Sequence, residues 1–92
     1  MRLQLTVAER SAVECRDWSE CPAVLAAWNG AWRLTFAERD RAALAAAINE
    51  ASNAEDGWAE YHLSKRDREQ ARFATKASLA LTRLYSRILS AK

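Results

Sequence analysis

The last third of the chain constrains its fold most, because residues 65–90 contain neither glycine nor proline. At about 100° per residue, the spacing of an α-helix, several apolar residues of this segment fall in one band. These residues are Phe73, Ala77, Ala80, Leu81, Leu84 and Ile88. Ser64 followed by Asp67 is typical of a helix start. The pattern predicts an amphipathic helix over residues 65–90, about 39 Å long.

A second long helix is predicted over residues 36–52, where the apolar residues again recur at helical spacing. One side of it carries Phe36, Ala43, Leu44, Ala47, Ile48 and Ala51. Further alanines cover much of the other side, so another backbone could approach closely there. The segment SNAEDG at residues 52–57 interrupts the pattern. We therefore expect this helix to end near residue 52, and the structure of the following WAEYHL segment stays open.

Two nearly identical hexapeptides, LTVAER at residues 5–10 and LTFAER at residues 34–39, precede helical patterns. In each, a threonine is followed three residues later by a glutamate, the spacing of a capping box at a helix start. The sequences after the two copies differ, whereas a true repeat would stay similar throughout the unit. The copies therefore indicate two helix starts, and a duplicated ancestor is the weaker alternative.

The first 36 residues contain short elements. Alternating apolar residues at positions 3, 5 and 7, and again at 32, 34 and 36, indicate short strands leading into helices. Residues 22–36 allow two interpretations. Asn29-Gly30 favours a hairpin turn, whereas Pro22 and Gly30 fit the start and stop of a short helix. The alanines between them favour the helix.

These patterns predict a mainly α fold with one domain over residues 1–92. Two long helices pack with short N-terminal elements. Whether those elements include a small β-hairpin or strand pair is left open by the sequence. Half of the residues are apolar, but twenty of them are alanine, so the core is thin. Oligomerisation supplements such a core. We therefore predict a homodimer whose interface is formed by the apolar band of the last helix: Phe73, Ala77, Leu81, Leu84 and Ile88.

Charge is distributed unevenly along the chain. Residues 1–63 hold six basic and ten acidic side chains, whereas residues 64–92 hold eight basic and two acidic ones. Most of these cations recur at three, four or seven residues, so they form a stripe along the last helix, with only Glu69 near enough in sequence to neutralise it. The predicted partner-binding residues are this stripe, an interrupting leucine and one tryptophan: Lys65, Arg68, Arg72, Lys76, Leu79, Arg83, Arg87 and Trp58.

Two partners fit such a stripe. An acidic protein surface is favoured, because an exposed leucine among arginines suits a protein better than a phosphate backbone, and tryptophan is common among binding hot spots. A nucleic-acid-binding accessory or regulatory protein is the alternative, since helical cations can follow phosphates. Two further interpretations need no partner. The stripe is then either a solvated helix face, or it pairs internally with the acidic part of the chain, for instance with Glu50, Glu55, Asp56 and Glu60.

Catalysis, metal binding and cofactor binding have weak support. Cys15 and Cys21 are candidate nucleophiles and His62 a candidate base, but such a pair needs contact in three dimensions. Glycine occurs only at positions 30 and 57, so no phosphate-binding loop is present. We expect no catalytic residues, no metal and no cofactor. Without a long apolar run, the sequence predicts a cytoplasmic protein with reduced cysteines and no membrane contact.

Overall fold

The computed structural model describes residues 1–28, 30 and 32–92. Two long helices, a short pair of strands and short N-terminal helices make up the fold, which confirms the predicted mainly α class. The elements are β1 (Arg2–Gln4), α1 (Val7–Glu14), α2 (Pro22–Ala27), β2 (Arg33–Thr35), a single 3-10 turn (Glu38–Asp40), α3 (Arg41–Ser64) and α4 (Arg68–Ser90).

α3 and α4 form a long antiparallel hairpin, and both differ from their predicted bounds. α3 continues to Ser64, so the prediction that SNAEDG ends it was wrong. Packing against α4 compensates for the weak helix formers of that segment, as tertiary contacts often do. α4 begins at Arg68 rather than at residue 65, because Arg66 adopts a positive φ of 61°. Asp67 then caps α4 by accepting a hydrogen bond from the Gln70 amide at 3.1 Å.

The N-terminal strands pair across a long stretch of sequence. β1 and β2 are antiparallel, with Leu3 opposite Leu34. Residues 22–27 form the helix α2, which confirms the helical interpretation for this part of the segment. Beyond α2, Trp28 and Leu34 form an isolated antiparallel bridge on either side of Asn29-Gly30. Asn29 itself lies outside the described residues, and Gly30 has a φ of 85°. The β1–β2 pair joins the first residues of the chain to residues 33–35.

The two predicted capping boxes have different outcomes. At α1 the box is confirmed: the Glu9 amide donates to the Thr6 hydroxyl at 3.1 Å, and the Thr6 amide donates to the Glu9 carboxylate at 2.8 Å. At residues 35–38 the prediction was wrong, because Thr35 lies in β2 opposite Arg2. Sheet pairing holds Thr35 in the extended conformation, so the helical turn begins only after it, without a side-chain cap.

The core lies between the N-terminal elements and the hairpin. Its fully buried members include Leu34, Leu44, Ile48, Leu81, Leu84 and Ile88. No member of this cluster lies in residues 57–74, which we call the distal hairpin; residues 41–56 and 75–90 are the proximal hairpin. Within the distal hairpin, the buried apolar residues are all alanine: Ala59, Ala71 and Ala74. The N-terminal layer thus builds the core on the proximal hairpin.

Polar contacts hold the register of the proximal hairpin. The buried Ser52 hydroxyl contacts the Ser78 carbonyl at 3.1 Å and the Thr82 hydroxyl at 2.7 Å, and the Ser78 hydroxyl donates to the Asp56 carboxylate at 2.6 Å. Arg41 donates to the last carbonyls of the α4 end, those of Ile88 and Leu89 at 2.8 Å each. Satisfied polar groups in a helix interface favour one register, because sliding would leave them unpaired.

Candidate functional site: a basic stripe on α4 and the adjacent groove

Most of the predicted partner-binding residues share the solvent side of α4. Arg68, Arg72, Lys76, Leu79 and Arg83 are all exposed, and we call this set the α4 stripe. The stripe lies opposite the buried side of the same helix, since its members are offset by about half a helical turn from Leu81, Leu84 and Ile88. From its first to its last residue it extends about 22 Å.

The four cations of the α4 stripe have no partner among the described residues of the chain. The ion pairs formed within residues 1–28, 30 and 32–92 use Arg10, Arg16, Arg41 and Arg87 instead. Two of the acids considered for internal pairing are occupied elsewhere: Glu55 contacts Arg16 at 3.2 Å, and Asp56 accepts from Ser78. The charge of the stripe is therefore directed to solvent rather than to the acidic N-terminal part.

Arg87 is an exception, and its place in the predicted stripe needs correction. Its guanidinium forms an ion pair with the Glu9 carboxylate and donates to the Gln4 carbonyl at 2.7 Å. Only 2 % of Glu9 is exposed, so this carboxylate is buried between α1 and α4. Arg87 thus ties the N-terminal layer to α4, because it lies on the side of the helix that α1 covers.

Lys65 and Trp58 lie apart from the stripe. Lys65 follows the last residue of α3, with its ammonium 5.9 Å from the Tyr61 ring centroid. Trp58 lies on α3, where its ring is 5.7 Å from that of Tyr61 and 5.8 Å from that of His62. These residues form an exposed aromatic cluster on the distal hairpin. The structure therefore does not bring Trp58 together with the cations of α4.

Most residues of the predicted dimer interface are buried in the core of the single chain. Leu81, Leu84 and Ile88 are fully buried, and Ala77 is 7 % exposed. Phe73 is the exception, with half of its surface exposed. The prediction assigned the apolar band of α4 to a second chain, but α1 and α3 of the same chain cover it. In this conformation, only Phe73 of the five residues is accessible to another molecule.

A groove beside the stripe combines apolar and cationic residues. It has a volume of about 400 Å³ and lies where the end of α3 meets the first turns of α4. Its lining consists of Leu63, Arg68, Ala71, Arg72, Thr75 and Lys76. The Thr75 hydroxyl already donates to the Ala71 carbonyl at 2.9 Å, so this polar group is satisfied within α4. We call this feature the α3–α4 groove.

Sequence reasoning missed the apolar part of this groove. Leu63 was left without a structural role because α3 was expected to end near residue 52. Extending the helical pattern through SNAEDG would have placed Leu63 four residues after Ala59, on the side of α3 that faces α4. Ala71 and Thr75 carried no distinctive signal, because small residues within a helix usually serve packing alone.

A second groove lies on the other side of Lys76, between α1 and α4. Its volume is about 390 Å³, and α1 contributes Val7, Ala8, Ser11 and Ala12 while α4 contributes Phe73, Lys76 and Ala77. Val7 is 73 % exposed and Phe73 is 50 % exposed. This α1–α4 groove is apolar, with Lys76 as the one cation in its lining.

The candidate catalytic residues do not meet in a shared cavity. Cys21 lines a cavity of about 530 Å³ together with residues 16–20 and part of α3, but His62 is not part of that lining. Beside Cys21, the Ser19 amide hydrogen-bonds to Asp17 and lowers the pKa of that carboxyl. Cys15 is an exposed free thiol after α1, and His62 stacks on Trp58.

The described residues offer neither a metal site nor a membrane-spanning helix. Within residues 1–28, 30 and 32–92, His, Cys, Asp and Glu side chains form no group of three that could hold a metal ion. None of the described helices combines the length and the apolar character needed to span a bilayer.

The chain matches no protein-family model, no curated protein and no solved structure. The shape and charge of its surface are therefore the basis for inferring its function. On that surface, the α4 stripe and the α3–α4 groove are the features in which charge and exposed apolar area coincide.

Proposed function

We propose that the protein is a non-catalytic interaction module whose α4 stripe binds an acidic protein surface. The observation that carries this proposal is the set of four exposed cations on one side of α4 without partners among the described residues. Cations that no internal carboxylate neutralises attract an acidic partner and orient it during encounter.

Leu79 favours a protein partner over a nucleic acid. It lies within the stripe between Lys76 and Arg83, and 59 % of its surface is exposed. Protein interfaces bury apolar area next to arginines, which are enriched there. Phosphates and sugars, by contrast, are contacted through charge and hydrogen bonds. An exposed leucine at this position therefore supports a protein surface that has apolar as well as acidic residues.

Nucleic-acid binding is the second candidate, supported by the same row of cations. Single-stranded nucleic acid would also be expected to use aromatic side chains that stack with bases along the path of the backbone. Trp58 and Tyr61 are exposed, but they lie on α3 and contact each other rather than following the stripe. This arrangement favours the protein partner.

We also propose that the protein forms a homodimer and that it is cytoplasmic. Phe73 and Val7 leave exposed apolar area along the α1–α4 groove, and this area supports self-association. Such a dimer would use the outer side of the α1–α4 pair and not the buried band of α4. The rest of the stripe would remain accessible to a partner in that arrangement, because Lys76 is the one stripe residue that lines the α1–α4 groove.

A pull-down from native lysate, with and without nuclease, tests the proposed function. The bait proteins are the wild type, the Arg72→Glu/Arg83→Glu variant, and the Arg33→Glu/Arg39→Glu variant as a control with the same change in net charge. Arg33 and Arg39 are exposed and lie on β2 and the 3-10 turn rather than on α4. We expect an acidic protein to be retained after nuclease treatment by the wild type and by the control, and to be lost with the stripe variant.

Two results would contradict this proposal. Loss of the bound material after nuclease treatment would favour the nucleic-acid alternative, for which log affinity falls linearly with log salt. A fall in stability of the stripe variant by more than about 1 kcal/mol would show that the cations are paired internally, since exposed charges contribute little to stability. Urea unfolding of the three baits measures this second quantity.

A further inference from the structure

We propose that the α3–α4 groove binds one apolar side chain from an acidic helical segment of the partner. This inference rests on the proposed function and names the chemistry of the partner: a helix with Asp or Glu on one side and a leucine or an aromatic residue among them. The α4 stripe provides the charge, and the groove provides the apolar contact.

The groove has ample room for one apolar side chain. Its volume of about 400 Å³ is at the lower end of the range for ligand sites. Leu63 forms one wall and is 58 % exposed, whereas Ala71 is 3 % exposed and forms the floor. A small residue at the floor leaves space that a larger side chain would fill. The exposed area of Leu63 has no other cover within the chain and would be buried by such an occupant.

The charge of the groove selects the flanking residues of the occupant. Arg68, Arg72 and Lys76 line it on successive turns, about 6 Å apart, and its lining contains no acidic side chain. Carboxylates three or four residues apart on a partner helix have the same spacing. A helix laid along α4 would therefore face all three cations while one of its apolar residues enters the groove, which is the helix-in-groove mode of recognition.

The α1–α4 groove lacks this combination. Its volume is similar, but Lys76 is its single cation and Val7 and Phe73 provide most of its exposed area. It offers apolar contact without a charge pattern that would select an acidic partner. The aromatic cluster has two exposed rings, Trp58 and Tyr61, but neither lines the α3–α4 groove or the α1–α4 groove. The α3–α4 groove therefore combines cations and apolar surface that both fit an acidic helix with one apolar residue.

Fluorescence anisotropy with designed peptides tests this inference. The probe is a labelled amphipathic helical peptide of about 16 residues, long enough to form a helix, with glutamates at every third or fourth position and a central leucine. A second peptide has alanine in place of that leucine, and a third has glutamine in place of the glutamates. The proteins are the wild type, Leu63→Ala, Leu63→Met and Leu25→Ala.

We expect the wild type to prefer the leucine peptide over the alanine peptide by about fivefold to tenfold, somewhat less than full burial of a leucine side chain would give, because the groove is open to solvent on one side. Leu63→Ala should remove most of this preference, and Leu63→Met should keep it. Leu25→Ala is the matched control, since Leu25 is 52 % exposed but lies on α2, and it should keep the preference. The glutamine peptide should bind the wild type at least tenfold more weakly than the leucine peptide.

The outcomes separate this inference from the proposed function. Suppose that the wild type binds the leucine and alanine peptides equally, and that the Arg72→Glu/Arg83→Glu variant binds neither. This result would refute binding in the groove but would still support an acidic partner on the α4 stripe. Equal effects of Leu63→Ala and Leu25→Ala also overturn the groove, because the apolar contact would then be unspecific. If the wild type binds no acidic peptide but binds single-stranded DNA, both the inference and the proposed function are wrong.

Discussion

The proximal and distal parts of the α3–α4 hairpin have the same helical scaffold but bury very different side chains. In the proximal part, large aliphatic residues face the N-terminal layer and are fully buried, among them Leu44, Ile48, Leu81 and Leu84. In the distal part, the large apolar residues are about half exposed: Trp58, Tyr61, Leu63 and Phe73. The hairpin therefore contributes to the core where the N-terminal layer covers it. Where that layer is absent, the same two helices have an accessible surface.

This difference has an energetic meaning. Full burial of a leucine or isoleucine side chain contributes about 1.5–3 kcal/mol, whereas an alanine contributes a single methyl group. The distal hairpin, held by Ala59, Ala71 and Ala74, gains little stability from its own contacts. We infer that the proximal part stabilises the fold and that the distal part, together with the outer side of α4, is available for binding.

The largest expected contrast is between two tryptophans. Trp18 is 4 % exposed and its indole nitrogen donates to the Val13 carbonyl at 2.7 Å, whereas Trp58 is 53 % exposed. Trp18→Ala should lower the free energy of unfolding by about 3–5 kcal/mol, the usual cost of removing a buried tryptophan. Trp58→Ala should lower it by about 1 kcal/mol or less. Urea unfolding measures both, and losses of similar size would contradict the contrast between the core, to which Trp18 belongs, and the distal hairpin.

A smaller contrast is expected between two arginines four residues apart on α4. Arg87→Ala leaves the buried Glu9 carboxylate without its cation, and we expect a loss of about 2 kcal/mol. This value is below the usual cost of breaking a buried pair, since the Arg87 side chain is 37 % exposed to solvent. Arg83→Ala should cost about 0.5 kcal/mol or less.

Thermal unfolding at low and at moderate salt would check the arginine pair. The Arg87→Ala loss should change little with salt, because the pair is partly buried and poorly screened. Equal losses in the two variants would mean that Arg83 also has an internal partner or that the Glu9 pair contributes nothing. Either finding would require the α4 stripe to be redefined.

A small effect on stability is also expected at Phe73, in the distal part. Phe73→Ser should change the free energy of unfolding by about 1 kcal/mol or less, because half of the side chain is already exposed. If the chain dimerises through the α1–α4 groove, the variant should reduce the mass in solution from twice 10.4 kDa to 10.4 kDa. Light scattering over a dilution series measures this, and a wild type that is monomeric at every concentration would contradict the proposed dimer.

The candidate site was only partly predictable from the sequence. The stripe of Arg68, Arg72, Lys76 and Arg83 follows from helical spacing alone, because residues three or four apart share a helix face whatever else the fold does. The groove depends on Leu63, which lies on a different helix from the cations. Its contact with α4 requires both the full length of α3 and the position of the turn at Arg66, which no local pattern indicated.

Local features of this protein were determined by the sequence itself. The capping box of Thr6 and Glu9, Pro22 at the start of α2 and the apolar band of α4 involve residues within a few positions of one another. Their geometry is set by backbone hydrogen bonding and helical periodicity, which act before any distant contact forms. Such features are therefore visible in the sequence without knowledge of the fold.

Only the tertiary structure decided which local signals prevailed. Thr35 became a strand residue because it pairs with Arg2, thirty-three positions earlier in the chain. Arg87 does not belong to the stripe, because it pairs with Glu9, which lies 78 residues away in the sequence. A buried carboxylate without a cation is costly, so this pairing is favoured over exposure of Arg87 to solvent. The apolar band of α4 was covered by the chain's own helices rather than by a second copy, since α1 lies close enough to exclude water from it.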